Sequence, residues 1–166
     1  MTADINSAAF GVLQMQKVLG YLLTWTTYGS WLQGDKRKYV KNGQILPPNP
    51  SLEKSNKQNM LFPQVSLTHT QREIITKAIL AESEELDQQI FAISIRKNHV
   101  HLAADCNFIS PRAAVSHYKN AARLAMQTSG FTGRLWTKGF SVRYCFNPEQ
   151  LNAIIAYVKN HNIQTP

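Results

Sequence analysis

Two histidines stand two positions apart in R-K-N-H-V-H-L-A-A-D, residues 96–105. In an extended chain alternate side chains share a face, so His99 and His101 project together, about 7 Å apart, while Val100 and Leu102 project the other way. Neutral imidazoles at that spacing suit one divalent metal ion. The same pair would equally serve as two polar residues on the solvated side of a sheet.

A second group with chemical potential lies in N-P-E-Q-L-N-A-I-I-A-Y-V-K-N-H-N, residues 147–162. At 100° per residue, Leu151, Ile154, Ile155 and Val158 form one apolar stripe. Tyr157 lies beside that stripe, and His161 follows one turn later on the same side. Should this edge face the His-Val-His strand, three imidazoles and a phenol would converge. Three protein ligands leave open metal positions where a phosphate oxygen can bind. A tyrosine oxygen is a competent nucleophile for a phosphodiester. With a pKa near 10 it is mostly protonated at neutral pH and needs activation.

The composition points to a polyanionic partner. The chain has 166 residues, the size of one domain, and eighteen Lys and Arg oppose ten Asp and Glu, for a net charge of +8. From Cys106 through Pro148 it holds Arg112, Lys119, Arg123, Arg134, Lys138 and Arg143 and no acid. Cys106 and Cys145 show no metal spacing and read as reduced thiols of a cytoplasmic protein, nucleoid-associated if DNA is the partner. The first residues lack a basic segment before a long apolar run, so no signal peptide is expected. No apolar run is long enough to span a membrane.

The elements that must position these groups follow from patterning. Residues 20–32 (G-Y-L-L-T-W-T-T-Y-G-S-W-L) read as the first strand, after an N-terminal arm at 1–17. Residues 34–66 change to a polar, proline-bearing insertion with no clear period, read as a loop that begins at the basic cluster Lys36, Arg37, Lys38. A helix capped by Thr68 or Thr70 follows, then two short strands, Q-I-F-A-I-S-I-R and H-V-H-L-A-A-D-C. Ser110 caps the next helix with Pro111 in its first turn, and Gly130 ends it. Residues 140–146 alternate like a strand, and Asn147 with Pro148 opens the last helix. The order β, α, β, β, α, β, α predicts an α+β, ferredoxin-like/RRM-like sandwich, with helices on an antiparallel sheet and the His-Val-His segment on a central strand.

Taken together, these segments resemble the single-tyrosine HUH transposases of bacterial insertion sequences, including the REP-associated tyrosine transposases. The His-hydrophobic-His triplet is His99, Val100, His101, with Asn98 before it. Y-L-L-T-W-T-T-Y-G-S-W-L-Q-G-D looks like the first strand of one subgroup. L-W-T-K-G-F-S-V-R-Y-C-F-N-P-E-Q-L-N-A-I-I-A-Y-V-K-N-H-N looks like the closing segment, where a strand leads into the tyrosine helix. The resemblance covers roughly residues 18–162. It implies a homodimer acting on single-stranded DNA, often beside a hairpin, with Mg²⁺ or Mn²⁺ on the histidine pair. It makes His99 and His101 metal ligands and Tyr157 the nucleophile that leaves a 5′-phosphotyrosine and a free 3′-OH.

The chain departs from the family at the third ligand, where many members place Gln four residues after the tyrosine. Here His161 holds that position, with Asn160 before it and Gln164 after it. His161 is the expected ligand, because i,i+4 spacing aligns it with Tyr157 and imidazole binds divalent transition metals well. Tyr118, beside Lys119 and Arg123, is a rival tyrosine whose expected role is packing or DNA proximity. Arg112, Lys119, Arg123 and Arg143 are the expected phosphate contacts, and Trp136 or Tyr144 could stack on bases, although packing suits both rings better. A histidine-triad hydrolase would need His where Ala103 stands, and the two-histidine phosphoesterases need paired H-x-[ST] motifs that are missing. An RNA-recognition module would need aromatic residues on its third strand. The competing reading is a non-catalytic or domesticated protein binding single-stranded DNA hairpins on the same scaffold.

Overall fold

The structure is a computed structural model that describes residues 17–163. The expected N-terminal arm, apart from Lys17, and Gln164 lie outside the described residues. Four antiparallel strands, β1 (Gly20–Thr26), β4 (Ile90–Ile95), β5 (His99–Asp105) and β6 (Ser141–Cys145), form one sheet in the order β4-β5-β1-β6. That order is the ferredoxin-like arrangement expected from the sequence. The strand carrying His99 and His101 is an interior one, flanked by β4 and β1.

Alternation along β1 sets up the two layers. Tyr21, Leu23 and Trp25 point to one face, where Val100, Leu102 and Ala104 of β5 join them. Helices α2 (His69–Glu85) and α3 (Pro111–Thr128) cover this face through Ile75, Ile79, Ala114, Val115, Tyr118 and Met126. The other face, with Leu22, Ala92, Ala103 and Cys145, is covered by Ile154 and Val158 of α4 (Pro148–Ile163). Helices therefore pack on both faces, and the layer holding α4 is the thinner one.

The predicted helix starts are formed as read. The Thr68 side chain accepts from Gln71 N while the Gln71 side chain reaches back, a reciprocal cap. Ser110 caps α3 with Pro111 next, and Gly130 follows the helix in the left-handed region at φ 93°. Asn147 Oδ1 accepts from Gln150 N at 2.9 Å at the start of α4.

Two expectations need correction. The first strand does not run to residue 32 but ends at Thr26, because the chain turns where Thr27 Oγ1 bonds Ser30 Oγ at 2.5 Å and the Val65 carbonyl at 2.7 Å. The insertion at 34–66 is not a structureless loop. Strands β2 (Tyr39–Lys41) and β3 (Gln44–Leu46) form a hairpin, and α1 (Pro50–Gln58) follows. Asn42 and Gly43, at φ 51° and 77°, supply the paired left-handed turn that a two-residue hairpin requires. Asn49 then caps α1 by accepting from Leu52 N, and Pro50 occupies the first turn. Gly34 allows the two ends of the insertion to meet, since a Cβ there would lie 2.5 Å from Asn49 O.

Tyr118 belongs to the core. Its ring is fully buried, and its hydroxyl donates to Gln88 Oε1 at 2.5 Å, while Gln88 Nε2 donates to the Tyr21 hydroxyl and to Asp105 O. Burial, with Tyr21 and nearby carboxylates adding to it, pushes the Tyr118 phenol well up, so it stays protonated. Tyr118→Phe leaves a buried acceptor on Gln88 without its donor and is expected to cost about 1–3 kcal/mol in urea unfolding. An unchanged unfolding midpoint would contradict this role.

Candidate active site

The β5 register decides where the histidines point. His101 pairs with Thr24 and Ser94, and His99 pairs with Thr26, so both imidazoles lie on the sheet face covered by α4. Helix α4 meets that face through Ile154 and Val158 and brings Tyr157 and His161 to the same end. Its C-terminal turn is pinned to the sheet, because Arg96 Nη1 donates to the His161 carbonyl at 2.7 Å and Asn162 Nδ2 to the Ile93 carbonyl at 3.0 Å. A cation at this carbonyl end also complements the helix dipole.

The result is a cluster within one chain. His99, His101 and His161 each offer one ring nitrogen, and these three atoms lie within 4.8 Å of one another. The Tyr157 hydroxyl sits 3.4 Å from His101 Nε2, and its side chain is 45% exposed. The phenol is thus beside the imidazoles and open to a ligand from solvent.

The two strand histidines have their outer nitrogens organised. His99 Nδ1 lies 2.7 Å from Asn98 Oδ1, an atom that only accepts, so Nδ1 carries the proton and Nε2 keeps its lone pair. His101 Nδ1 lies 2.7 Å from Thr24 Oγ1, which turns its Nε2 to the α4 side, toward the Tyr157 hydroxyl. Partners of this kind orient metal-binding imidazoles. His99 Nε2 and His161 Nε2 stand 3.4 Å apart, long for a hydrogen bond but close to the roughly 3.3 Å between two nitrogens tetrahedrally bound to one ion.

Electrostatics favour the ligand form. Burial lowers the His101 pKa to about 4, with His99 and His161 adding to the effect. Burial likewise lowers His99, helped by His161, Arg96 and Arg37. Both rings are therefore neutral at pH 7, as metal coordination demands. A set of three imidazoles fits a divalent transition ion such as Mn²⁺ better than Mg²⁺, which prefers oxygen ligands.

Of the expected third ligands, the structure brings His161 to the pair, whereas Asn160 is exposed. The four basic candidates are not brought together. Arg143, on edge strand β6, pairs with Leu22 and so shares the histidine face. Arg112, Lys119 and Arg123 belong to α3, on the opposite face. Lys119 is half-buried, its ammonium donating to the carbonyls of Thr137 and Gly139 at 2.9 and 2.8 Å. Burial, with Arg134 nearby, lowers its pKa to about 8. Arg112 and Arg123 are exposed, the latter bonded to Gln127 and Asn120 of its own helix. Trp136 is buried edge-on against Trp25, with ring centroids 6.1 Å apart, and Tyr144 is exposed on β6.

Sequence reading missed Thr24 and Arg96. Thr24 sits in the first strand with nothing local to mark it, and only the pairing of β1 with β5 brings it to His101. Arg96 gains its role from the end of α4, sixty-five positions later.

The sequence matches no protein-family model and no curated protein. Solved structures do resemble the fold. A Deinococcus radiodurans protein described as a transposase aligns over 87% of this chain and 92% of its own, at 14% identity and a TM-score of 0.46. A REP-associated tyrosine transposase, solved bound to a REP hairpin, aligns over 89% of this chain and 68% of its own, at 12% identity and a TM-score of 0.54. The chain shares the fold of that tyrosine transposase.

Proposed function

We propose that the protein is a single-tyrosine HUH transposase-type nuclease that cuts and rejoins single-stranded DNA. The observation that carries this reading is the convergence of His99, His101, His161 and Tyr157 in one chain, on a fold shared with a tyrosine transposase. Tyr157 Oη attacks the scissile phosphorus. The phenol proton leaves to solvent, an Oη–P bond forms, the P–O3′ bond breaks, and the departing 3′-oxygen takes up a proton from solvent as the 3′-OH. The DNA 5′ end stays on Tyr157 as a phosphotyrosine, and attack by another 3′-OH reverses the step.

His99, His101 and His161 are the proposed holders of a divalent ion, Mn²⁺ in preference to Mg²⁺. Bound there, it supplies polarisation of a phosphate oxygen. Asn98 and Thr24 keep the two strand imidazoles turned toward that position. Arg143, on the same face, is the proposed phosphate contact, whereas Arg112 and Arg123 stand on α3 behind the sheet. A hairpin beside the cut site is the proposed substrate feature, in keeping with the hairpin bound to the structural neighbour. A homodimer would use β6, whose outer edge is unpaired among the described residues and exposes Val142 and Tyr144.

The direct test incubates the full chain with labelled single strands from the flanks of its own gene and Mn²⁺, then looks for a denaturant-resistant adduct. Wild type and Tyr118→Phe form the adduct, and Tyr157→Phe forms none. Binding without adduct across those strands would move the protein to the non-catalytic hairpin-binding reading.

The site also sets a pH signature. His101 has a folded pKa lowered from 6.5 to about 4, so between those values the unfolded chain binds the proton first. Stability of the metal-free protein therefore falls as pH drops through that window. Urea midpoints in chelator at pH 7 and pH 5 should differ more for wild type than for His101→Gln, and equal differences would contradict the assignment.

A further inference from the structure

The Trp31 segment, singled out in the sequence by its resemblance to one subgroup, has no part in the chemistry above. Trp31 is 44% exposed, yet its ring is fixed on two sides. Its Nε1 donates to the Lys38 carbonyl at 2.9 Å, and the Arg37 guanidinium lies 5.8 Å from the ring centroid, within cation–π range. Arg37 is itself clamped by the buried Asp35, with Nε on Oδ1 at 2.7 Å and Nη2 on Oδ2 at 2.5 Å, and it donates to the Ser30 carbonyl at 2.8 Å. Lys38 holds φ 77° to present its carbonyl. The loop is thus a rigid mount for a large ring that remains open to solvent.

The mount is tied to the histidine strand. Ser30 Oγ bonds Thr27 Oγ1 at 2.5 Å, and Thr27 N donates at 2.9 Å to the carbonyl of Asn98, the residue before His99. Asp35 neutralises Arg37, so the positive charge the loop shows to solvent comes from Lys36 and Lys38, both exposed. A fixed aromatic face on a loop that also carries two exposed cations, Lys36 and Lys38, is complementary to a base and its flanking phosphates. Stacking is sequence-tolerant, and a ring already held in place loses little freedom on binding.

We propose that the Ser30–Lys38 loop docks one unpaired base of the single-stranded DNA on Trp31, with the flanking phosphates on Lys36 and Lys38. The inference rests on the DNA reading above and adds a positioning element on a loop bonded to the start of the histidine strand.

The test uses the full chain and oligothymidylate in chelator, where binding is read without cleavage. Trp25 and Trp136 are buried, so quenching of tryptophan fluorescence on binding reports Trp31. Trp31→Ala is expected to weaken Kd about five- to a hundredfold, and Trp31→Phe to recover most of the loss. An unchanged Kd in Trp31→Ala, or binding without quenching, overturns the docking site. If wild type binds, forms the Tyr157 adduct and ignores Trp31, only this inference falls. If wild type binds no single strand, the DNA reading falls with it.

Discussion

The pairing register of β5 with β1 is the constraint on which the site depends. Because side chains alternate with period two, a slip of one residue would move His99 and His101 into the core beneath α2 and α3 and bring Val100 to the α4 face. The register is held by burial. Val100 and Leu102 are completely covered on one face and Ala103 on the other, so a slip would force a larger Leu102 under α4 and bury imidazole in the core without partners. The small side chains of Ala92 and Ala103 let α4 approach the sheet, and that approach carries Tyr157 and His161 to the strand pair. One packing arrangement thus fixes both halves of the site.

The charge distribution acquires meaning once the layers are known. The acid-free stretch 106–148 is one block in sequence but divides between two faces in space, α3 behind the sheet and β6 beside the histidines. Net positive charge alone is therefore a poor guide to a DNA path. Lys119 illustrates the point, since its ammonium holds the 137–139 segment against α3. The Lys36–Lys38 cluster, by contrast, lies in a loop whose base is bonded to the start of the histidine strand.

Much of this was legible in the sequence, for definable reasons. The helix caps at Thr68, Ser110 and Asn147 are local signals and needed no tertiary information. The i,i+2 and i,i+4 spacings placed His99 with His101 and Tyr157 with His161 because each pair lies within one element. That the two pairs meet is a property of the packing of α4, on which the sequence offered only a condition. The insertion was misread because its polarity hid a two-residue Asn-Gly turn, the strongest local hairpin signal in the chain. Thr24 and Arg96 were invisible because their partners are 77 and 65 positions away.

The proposed function turns on three imidazoles of one chain holding one divalent ion beside Tyr157. Pulsed electron paramagnetic resonance of Mn²⁺ added to the metal-free protein tests it most directly, because directly bound imidazole nitrogen modulates the manganese echo. One bound ion per chain is expected, with nitrogen coupling that diminishes in His101→Ala and His161→Ala. Bound Mn²⁺ without nitrogen coupling, or coupling unaffected by both substitutions, would contradict it.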